Sequence, residues 1–191
     1  NSPHPGRYRQ SGRIPMSLSW AWLFLLLATF PWLLGVDLLS DSIATSGVCL
    51  FISGAAIIAP CRRLRRWQAV LFSACVGFLF EALRPIPDGS LALLLVFAAI
   101  YLTSHRDEIR DMPKMFWAAA LVNGIACTAW FLAAGLAHLK EVPLLSLHFL
   151  GQWLLHLLLA TILAVLLLVP LALVQNFAMD KIGVPQPDEA A

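Results

Sequence analysis

The chain has 191 residues, of which 60% are hydrophobic and only 13% are charged, and its formal net charge is +2. Soluble domains are about 45–50% apolar and about 25% charged, so this composition excludes an ordinary soluble domain. The small net charge gives no indication of nucleic acid as a partner. Several apolar runs approach or exceed the roughly 18 residues that mark a membrane span, and we predict an all-α integral membrane protein.

The apolar runs predict one membrane domain over residues 18–177 between two short polar ends. Residues 1–17 form a polar leader with three arginines, which we expect to be disordered. Met16 directly precedes the first apolar run and is a candidate for the true start of the protein. Residues 178–191 form a short polar tail. Within the domain we predict six transmembrane helices in a compact bundle, over about 18–39, 43–59, 67–83, 90–103, 115–136 and 152–174.

Prolines, glycines and polar residues set the predicted ends of these helices. Pro31 is expected to kink the first helix, and the serines and aspartate at 40–42 are expected to form the turn after it. Pro60 is expected to end the second helix. In the last apolar run we expect breaks at Gly151 and Pro170, with an interfacial segment before Gly151. The second helix is rich in Gly, Ala and Ser, which allow close backbone approach, and we expect it at the centre of the bundle.

The distribution of basic residues predicts the orientation in the membrane. If the N-terminus is cytoplasmic, eleven of the 13 Lys and Arg residues lie on that side, and only Arg84 and Lys140 lie on the other. The positive-inside rule then places both termini in the cytoplasm. The basic segment 61–67, CRRLRRW, could bind nucleic acid or lipid, but a short basic loop between two spans is mainly a topology signal.

Glu81 is the one carboxylate with membrane-apolar sequence on both sides, and such a residue is a candidate functional site. Its i,i+3 spacing to Arg84 puts the pair on one helix face. One interpretation is a salt bridge near the outer surface. The other is that Glu81 faces the bundle and receives a partner helix or a polar ligand. Pro85 and Pro87 should hold the following turn open, and Asp88 or Ser90 should cap the fourth helix.

A second polar group lies on the last helix. His148, Gln152 and His156 are spaced four residues apart and therefore share one face. Hydrogen bonding between helices is one interpretation, with Asn123 of the fifth span as the partner. A proton relay or a contact to a polar ligand is the other.

The sequence contains no motif that we associate with catalysis in membranes. No HExxH, GxSxG or glycine-rich nucleotide loop occurs, and the four cysteines lack the paired spacing of zinc sites. We therefore expect no enzyme activity, no metal and no cofactor.

The stretch from 77 to 101 resembles the rod-shape-determining protein MreD family of bacterial inner-membrane proteins. In that family a glycine, three apolar residues and an acid precede a polar turn and a strongly apolar helix. The matching positions here are Gly77, Glu81, the turn from Arg84 to Gly89, and the helix that begins at Ser90. The resemblance covers residues 67–110, and beyond them only the hydropathy pattern is similar.

The resemblance implies a fold like that of the substrate-binding subunits of vitamin transporters, without catalysis. It also implies a place in the inner membrane within the peptidoglycan elongation machinery that sets cell shape. The partners would be an MreC-type scaffold and, through it, the peptidoglycan polymerase and transpeptidase pair. The candidate interaction site consists of six positions, Gly77, Glu81, Arg84, Pro85, Asp88 and Gly89.

The rival interpretation is a small-molecule permease, or the substrate-binding subunit of a vitamin-type transporter. Such a protein would need an outward cavity bordered by Glu81, Asn123 and His156. A scaffold subunit should instead have a closed bundle with few convergent polar groups.

Overall fold

The computed structural model describes residues 20–43, 51–83, 89–109, 111–137 and 147–184. The regular structure of these residues is entirely helical. Six helices follow one another along the chain: α1 (Ala21–Ile43), α2 (Ser53–Arg63), α3 (Arg66–Ala82), α4 (Ser90–Ser104), α5 (Met112–Ala137) and α6 (Leu147–Ile182). A helix bonds every interior backbone group to its own chain, which is why apolar segments of this kind fold as helices in lipid.

Three of the helices are long and apolar enough to cross a membrane. These segments are Ala21–Ser42, Met112–Ala133 and Phe149–Ile182. The fourth apolar helix, α4, has 15 residues and is about 22 Å long at 1.5 Å per residue. It begins and ends within one residue of its predicted bounds, 90–103.

The shortest helix, α2, lies at the centre of the described structure. Every residue from Ser53 to Cys61 is buried, and the helix packs against α3, α4, α5 and α6. At Gly54 an added Cβ would overlap the carbonyl oxygen of Ala119 and stand 3.0 Å from the backbone nitrogen of Asn123. The prediction that the small-residue helix is central is confirmed, and the close approach to α5 is its physical reason.

Two predicted helix ends were wrong because the chain stays helical there. Residues 40–42 are the last turn of α1 and not a loop, and the hydroxyl of Ser42 donates to the carbonyl of Leu38 within the helix, at 2.8 Å. Pro60 does not end the second helix, which continues to Arg63. The second helix was predicted to begin at residue 43, but Ile43 is the last residue of α1, and residues 44–50 lie outside the described residues.

The last helix was also predicted to be shorter than it is. The 36-residue helix α6 passes through Gly151 and Pro170 without a break and extends to Ile182, past the expected start of the tail at 178. A proline in a helix interior costs one hydrogen bond, whereas leaving the helix in lipid would expose several backbone groups. The continuous helix is therefore the less costly arrangement.

The fifth helix was predicted to begin at residue 115, but it begins three residues earlier. The helix begins at Met112, with the amide of Met115 bonded to the carbonyl of Asp111 at 3.0 Å. Pro113 is compatible with this position because the first amides of a helix need no intrahelical partner. The leader 1–17 and the second half of the tail, residues 185–191, lie outside the described residues.

Candidate functional site

Glu81 lies on the last turn of α3, where its carboxylate caps the start of α4. The residue is 6% exposed. One carboxylate oxygen accepts a hydrogen bond from the amide of Gly89 at 2.8 Å. The other accepts from the amides of Leu91 and Ala92, the latter at 3.0 Å. Three of the donors that a helix start leaves unpaired are satisfied in this way, and the negative charge stands at the positive end of the helix dipole.

At Gly77, one helical turn before Glu81, the helices α3 and α4 come into direct contact. A Cβ on Gly77 would overlap the α-carbon of Ala92, so α3 and α4 touch backbone to backbone. Residues 77 and 81 are one helical turn apart and face the same neighbour. The glycine allows the close approach, and the glutamate bonds the amides that this approach brings near.

Ser90, one of the two predicted caps of α4, is the first residue of that helix and not its N-cap. The residue at the N-cap position is Gly89, which has a φ of 84° and no side chain to accept a bond. Such a positive φ favours glycine. The capping group therefore comes from another helix. Asp88, Arg84, Pro85 and Pro87 lie outside the described residues, as does the predicted pair between Glu81 and Arg84.

Asn123 of α5 caps the start of α2, as Glu81 caps the start of α4. Its side-chain oxygen accepts from the amide of Gly54 at 2.6 Å and from the hydroxyl of Ser53 at 3.3 Å. Its side-chain nitrogen donates to the carbonyls of Phe51 and Ala160, at 2.9 and 3.2 Å. This fully buried amide thus has all four bonding positions filled and joins α5 to α2 and α6.

The predicted polar face of the last helix is only partly assembled. His156 is buried, Gln152 is exposed, and the side chain of His148 lies outside the described residues. Asn123 does contact this face of α6, but through the backbone carbonyl of Ala160 rather than through His156 or Gln152.

His156 bonds within its own helix and leaves one ring nitrogen unpaired. Nδ1 lies 2.7 Å from the carbonyl oxygen of Gln152, and because a carbonyl only accepts, Nδ1 carries the proton. Nε2 is buried and has no hydrogen-bond partner among the described residues. The rings of Trp130 and Phe131 lie 6.0 and 5.3 Å from the imidazole. Nε2 is therefore a buried hydrogen-bond acceptor beside aromatic side chains.

Gln175 and Arg63 were missed by the sequence reasoning. Gln175 is fully buried, and its amide nitrogen donates to the carbonyl of Ala56 at 2.8 Å and to the hydroxyl of Thr29 at 3.0 Å. The available signal was Pro60, since a proline inside a helix leaves free the carbonyl four residues before it. Ala56 is that residue.

Arg63 joins the end of α2 to the end of α6. Its guanidinium pairs with Asp180 at 2.6 Å and donates to the carbonyl of Val184 at 2.6 Å. The predicted basic loop therefore has a structural partner in addition to its effect on topology.

Three cavities among the described residues have mainly apolar linings. One of about 610 Å³ lies between α4 and α5, and another of about 540 Å³ lies between α5 and α6. A small one of about 60 Å³ lies beside Trp130. Glu81, Asn123 and His156 line none of these three. Among the described residues, no three His, Cys, Asp or Glu side chains are close enough to hold a metal ion together.

No family model, curated protein or solved structure matches this chain. The geometry of its own residues is therefore the basis for a functional assignment.

Proposed function

We propose that this protein is a non-enzymatic membrane subunit that acts through protein–protein contacts in the bilayer. The observation that carries the proposal is the use of the buried polar side chains. Glu81 bonds three amides at the start of α4, and Asn123 bonds four groups around the start of α2. Gln175 donates to two further groups. These side chains hold helices in place and do not converge on a cavity.

The specific role that we propose is in the machinery of bacterial cell shape and peptidoglycan elongation. Support comes from the two positions that carry the resemblance to the MreD family. Gly77 and Glu81 act as one unit on α4, with the glycine permitting contact with Ala92 and the acid bonding the adjacent amides. Because Gly77 and Glu81 contact the same part of α4, one structural role accounts for their four-residue spacing. The proposed partner is an MreC-type scaffold.

We also propose six spans in the inner membrane with both termini in the cytoplasm. Support comes from contacts that gather basic helix ends at one end of the bundle. Arg63, at the end of α2, pairs with Asp180 near the end of α6. Arg106, after α4, donates to the carbonyl of Leu64 at 3.4 Å, and Arg62 contacts the sulfur of Met115 at the start of α5 at 2.9 Å.

Depletion of the protein in a rod-shaped bacterial host that encodes it tests the role in cell shape. We expect rounded cells, and rescue by the wild-type gene. Rescue by Gly35→Ala should be complete, because a Cβ at Gly35 meets no atom within 4 Å, whereas Gly77→Leu should fail to rescue. Normal cell shape after complete depletion would contradict the proposal.

The second candidate function is substrate binding in a vitamin-type transporter, and His156 is the observation that favours it. A buried acceptor nitrogen without a partner is costly and can be explained by a polar ligand that donates to it. His156→Phe separates the two functions. A scaffold should retain cell shape and partner co-purification in this variant, whereas a transporter subunit should lose uptake of its substrate while cell shape stays normal.

A further inference from the structure

A groove on the membrane-facing side of the molecule lies between α4 and α5, and we call it the α4–α5 groove. It encloses about 610 Å³. Its floor includes Leu102 and Val122, which are 5% and 6% exposed, and its walls include Phe97 and Leu121, which are 63% and 61% exposed. Exposed walls over a buried floor make a groove that can receive side chains from another helix.

A ridge of large apolar side chains runs directly beside this groove on α5. It consists of Trp117, Leu121 and Ile125, which occupy successive turns and are 77%, 61% and 49% exposed. Leu121 and Ile125 also form the α5 wall of the groove. Ridge and groove are therefore neighbours on one surface. A twofold axis along the membrane normal brings each ridge into the groove of the other copy, as an isologous interface requires.

The charges at one end of this surface are complementary under the same operation. Glu108 is exposed at the end of the groove. Lys114 is exposed one turn before Trp117 and lies 3.6 Å from Asp111, which is also exposed. Rotation about the membrane normal leaves heights unchanged, and both residues lie at the end of the bundle where Arg106 contacts Leu64 and Arg62 contacts Met115.

We propose that the α4–α5 groove is a dimer interface that receives the Trp117–Leu121–Ile125 ridge of a second copy, with Glu108 of each copy beside Lys114 of the other. The alternative occupant is a lipid, whose acyl chain would place a head group at Glu108. Lipid head groups in the cytoplasmic leaflet are often anionic. In the proposed topology Glu108 lies at that leaflet, where an anionic head group beside its carboxylate would be unfavourable. The proposal requires only that all copies insert in one orientation.

Photo-crosslinking of the full-length protein in lipid vesicles tests the geometry. A benzophenone amino acid at Phe97 should give a covalent dimer, and the attachment point should map to residues 117–125 of the other copy. The same probe at Leu158, which is exposed on α6 and does not line the groove, should give no dimer. A dimer from Leu158 and none from Phe97 would overturn the proposal.

Charge reversal tests the pairing in the same vesicles by energy transfer between labelled copies. Glu108→Lys or Lys114→Glu alone turns two attractive contacts of a twofold dimer into two repulsive ones. Two exposed ion pairs together correspond to about a two- to thirtyfold change in an association constant, and we expect each single variant to lower it within this range. The double variant should recover most of the wild-type constant. Asp41→Lys, a reversal at an exposed position that does not line the groove, should leave the constant unchanged.

Leu121→Ala removes the centre of the ridge and should abolish the Phe97 crosslink, whereas Leu158→Ala should leave it intact.

Each single charge reversal is at an exposed position, so loss of folding is not expected to imitate the result. An association constant unchanged in Glu108→Lys and Leu121→Ala would overturn the proposal. So would monomers at all protein-to-lipid ratios. A crosslink from Phe97 in host membranes to a different membrane protein, without a dimer, would also exclude a second copy as the occupant.

Discussion

Gln175 supplies the hydrogen-bond donor that Pro60 lacks. In a regular helix the amide of residue 60 would bond the carbonyl of Ala56, but proline has no amide hydrogen. The side chain of Gln175 donates to that carbonyl at 2.8 Å. The central helix α2 therefore continues through Pro60 to Arg63 with this carbonyl satisfied, and α6 is fixed against α2 at the same point.

We predict that Gln175 and Pro60 are energetically coupled. Gln175→Leu should lower the free energy of unfolding by about 1–3 kcal/mol, because it leaves the Ala56 carbonyl buried and unpaired. In a Pro60→Ala background the new amide can bond that carbonyl, and the loss should be smaller by about 1 kcal/mol. Unfolding by SDS in mixed micelles measures both values. Gln152→Leu, at an exposed position, should be nearly neutral, and equal losses in the two backgrounds would contradict the coupling.

The apolar runs predicted the helical class and the extent of α4, but they did not predict where several helices end. Turn signals taken from soluble proteins failed at Pro60, Pro170 and residues 40–42, all of which lie inside helices. In water a broken helix can bond to solvent, whereas in lipid each freed backbone group needs a protein partner. In this protein, whether a proline ends a helix depends on the residues that pack against it.

The candidate site was predicted in part. The sequence singled out Glu81 and Gly77 because a charge and a glycine are unusual in apolar segments. Their partners are the backbone of Leu91 and Ala92, and backbone partners leave no compositional signal. Gln175 was missed for a similar reason, because its pairing with Ala56 depends on how two distant helices pack.

We predict that Glu81→Gln is destabilising although it preserves size. One carboxylate oxygen accepts from Gly89 and the other from Leu91 and Ala92. An amide would turn an NH₂ group towards one of these sets of donors. We expect a loss of about 1–3 kcal/mol in the same unfolding assay, together with weaker co-purification of the partner.

Asp41→Asn is the matched control for Glu81→Gln, because Asp41 is exposed and the change is again from a carboxylate to its amide; its unfolding free energy should be nearly unchanged. Arg84→Gln should have a smaller effect than Glu81→Gln. Wild-type stability and normal co-purification for Glu81→Gln would remove this residue from the candidate site.

We predict that Gly77→Ala separates α3 from α4. The added methyl group would overlap the backbone of Ala92, and backbone does not yield as a flexible side chain does. Overpacking of this kind costs about 1–3 kcal/mol. Gly35→Ala adds the same methyl group where nothing lies within 4 Å and should be neutral or slightly stabilising. Thermal unfolding in detergent compares the two, and equal midpoints would argue against the backbone contact.

We predict that Asn123→Leu loosens α2. The substitution removes four hydrogen bonds, and at about 0.6 kcal/mol for each bond in a membrane protein the loss should be roughly 2 kcal/mol. Thr161→Val removes a bond within α6 only and serves as the control. Hydrogen exchange at the amide of Gly54 should increase in Asn123→Leu and stay unchanged in Thr161→Val. Unchanged exchange in Asn123→Leu would show that the amide side chain does not hold this helix start.

The orientation in the membrane gives the last prediction. Arg62, Arg63 and Arg106 all contact groups at one end of the bundle, so translocation of that end would carry several cations across the membrane together. From the positive-inside rule we therefore expect this end to lie in the cytoplasm. Reporter fusions after Arg65 and Arg110 should report the cytoplasm, and fusions after Asp41, Asp88 and Glu141 should report the periplasm. A periplasmic signal from either basic segment would overturn the proposed topology, because the contacts between these ends require them to lie on the same side.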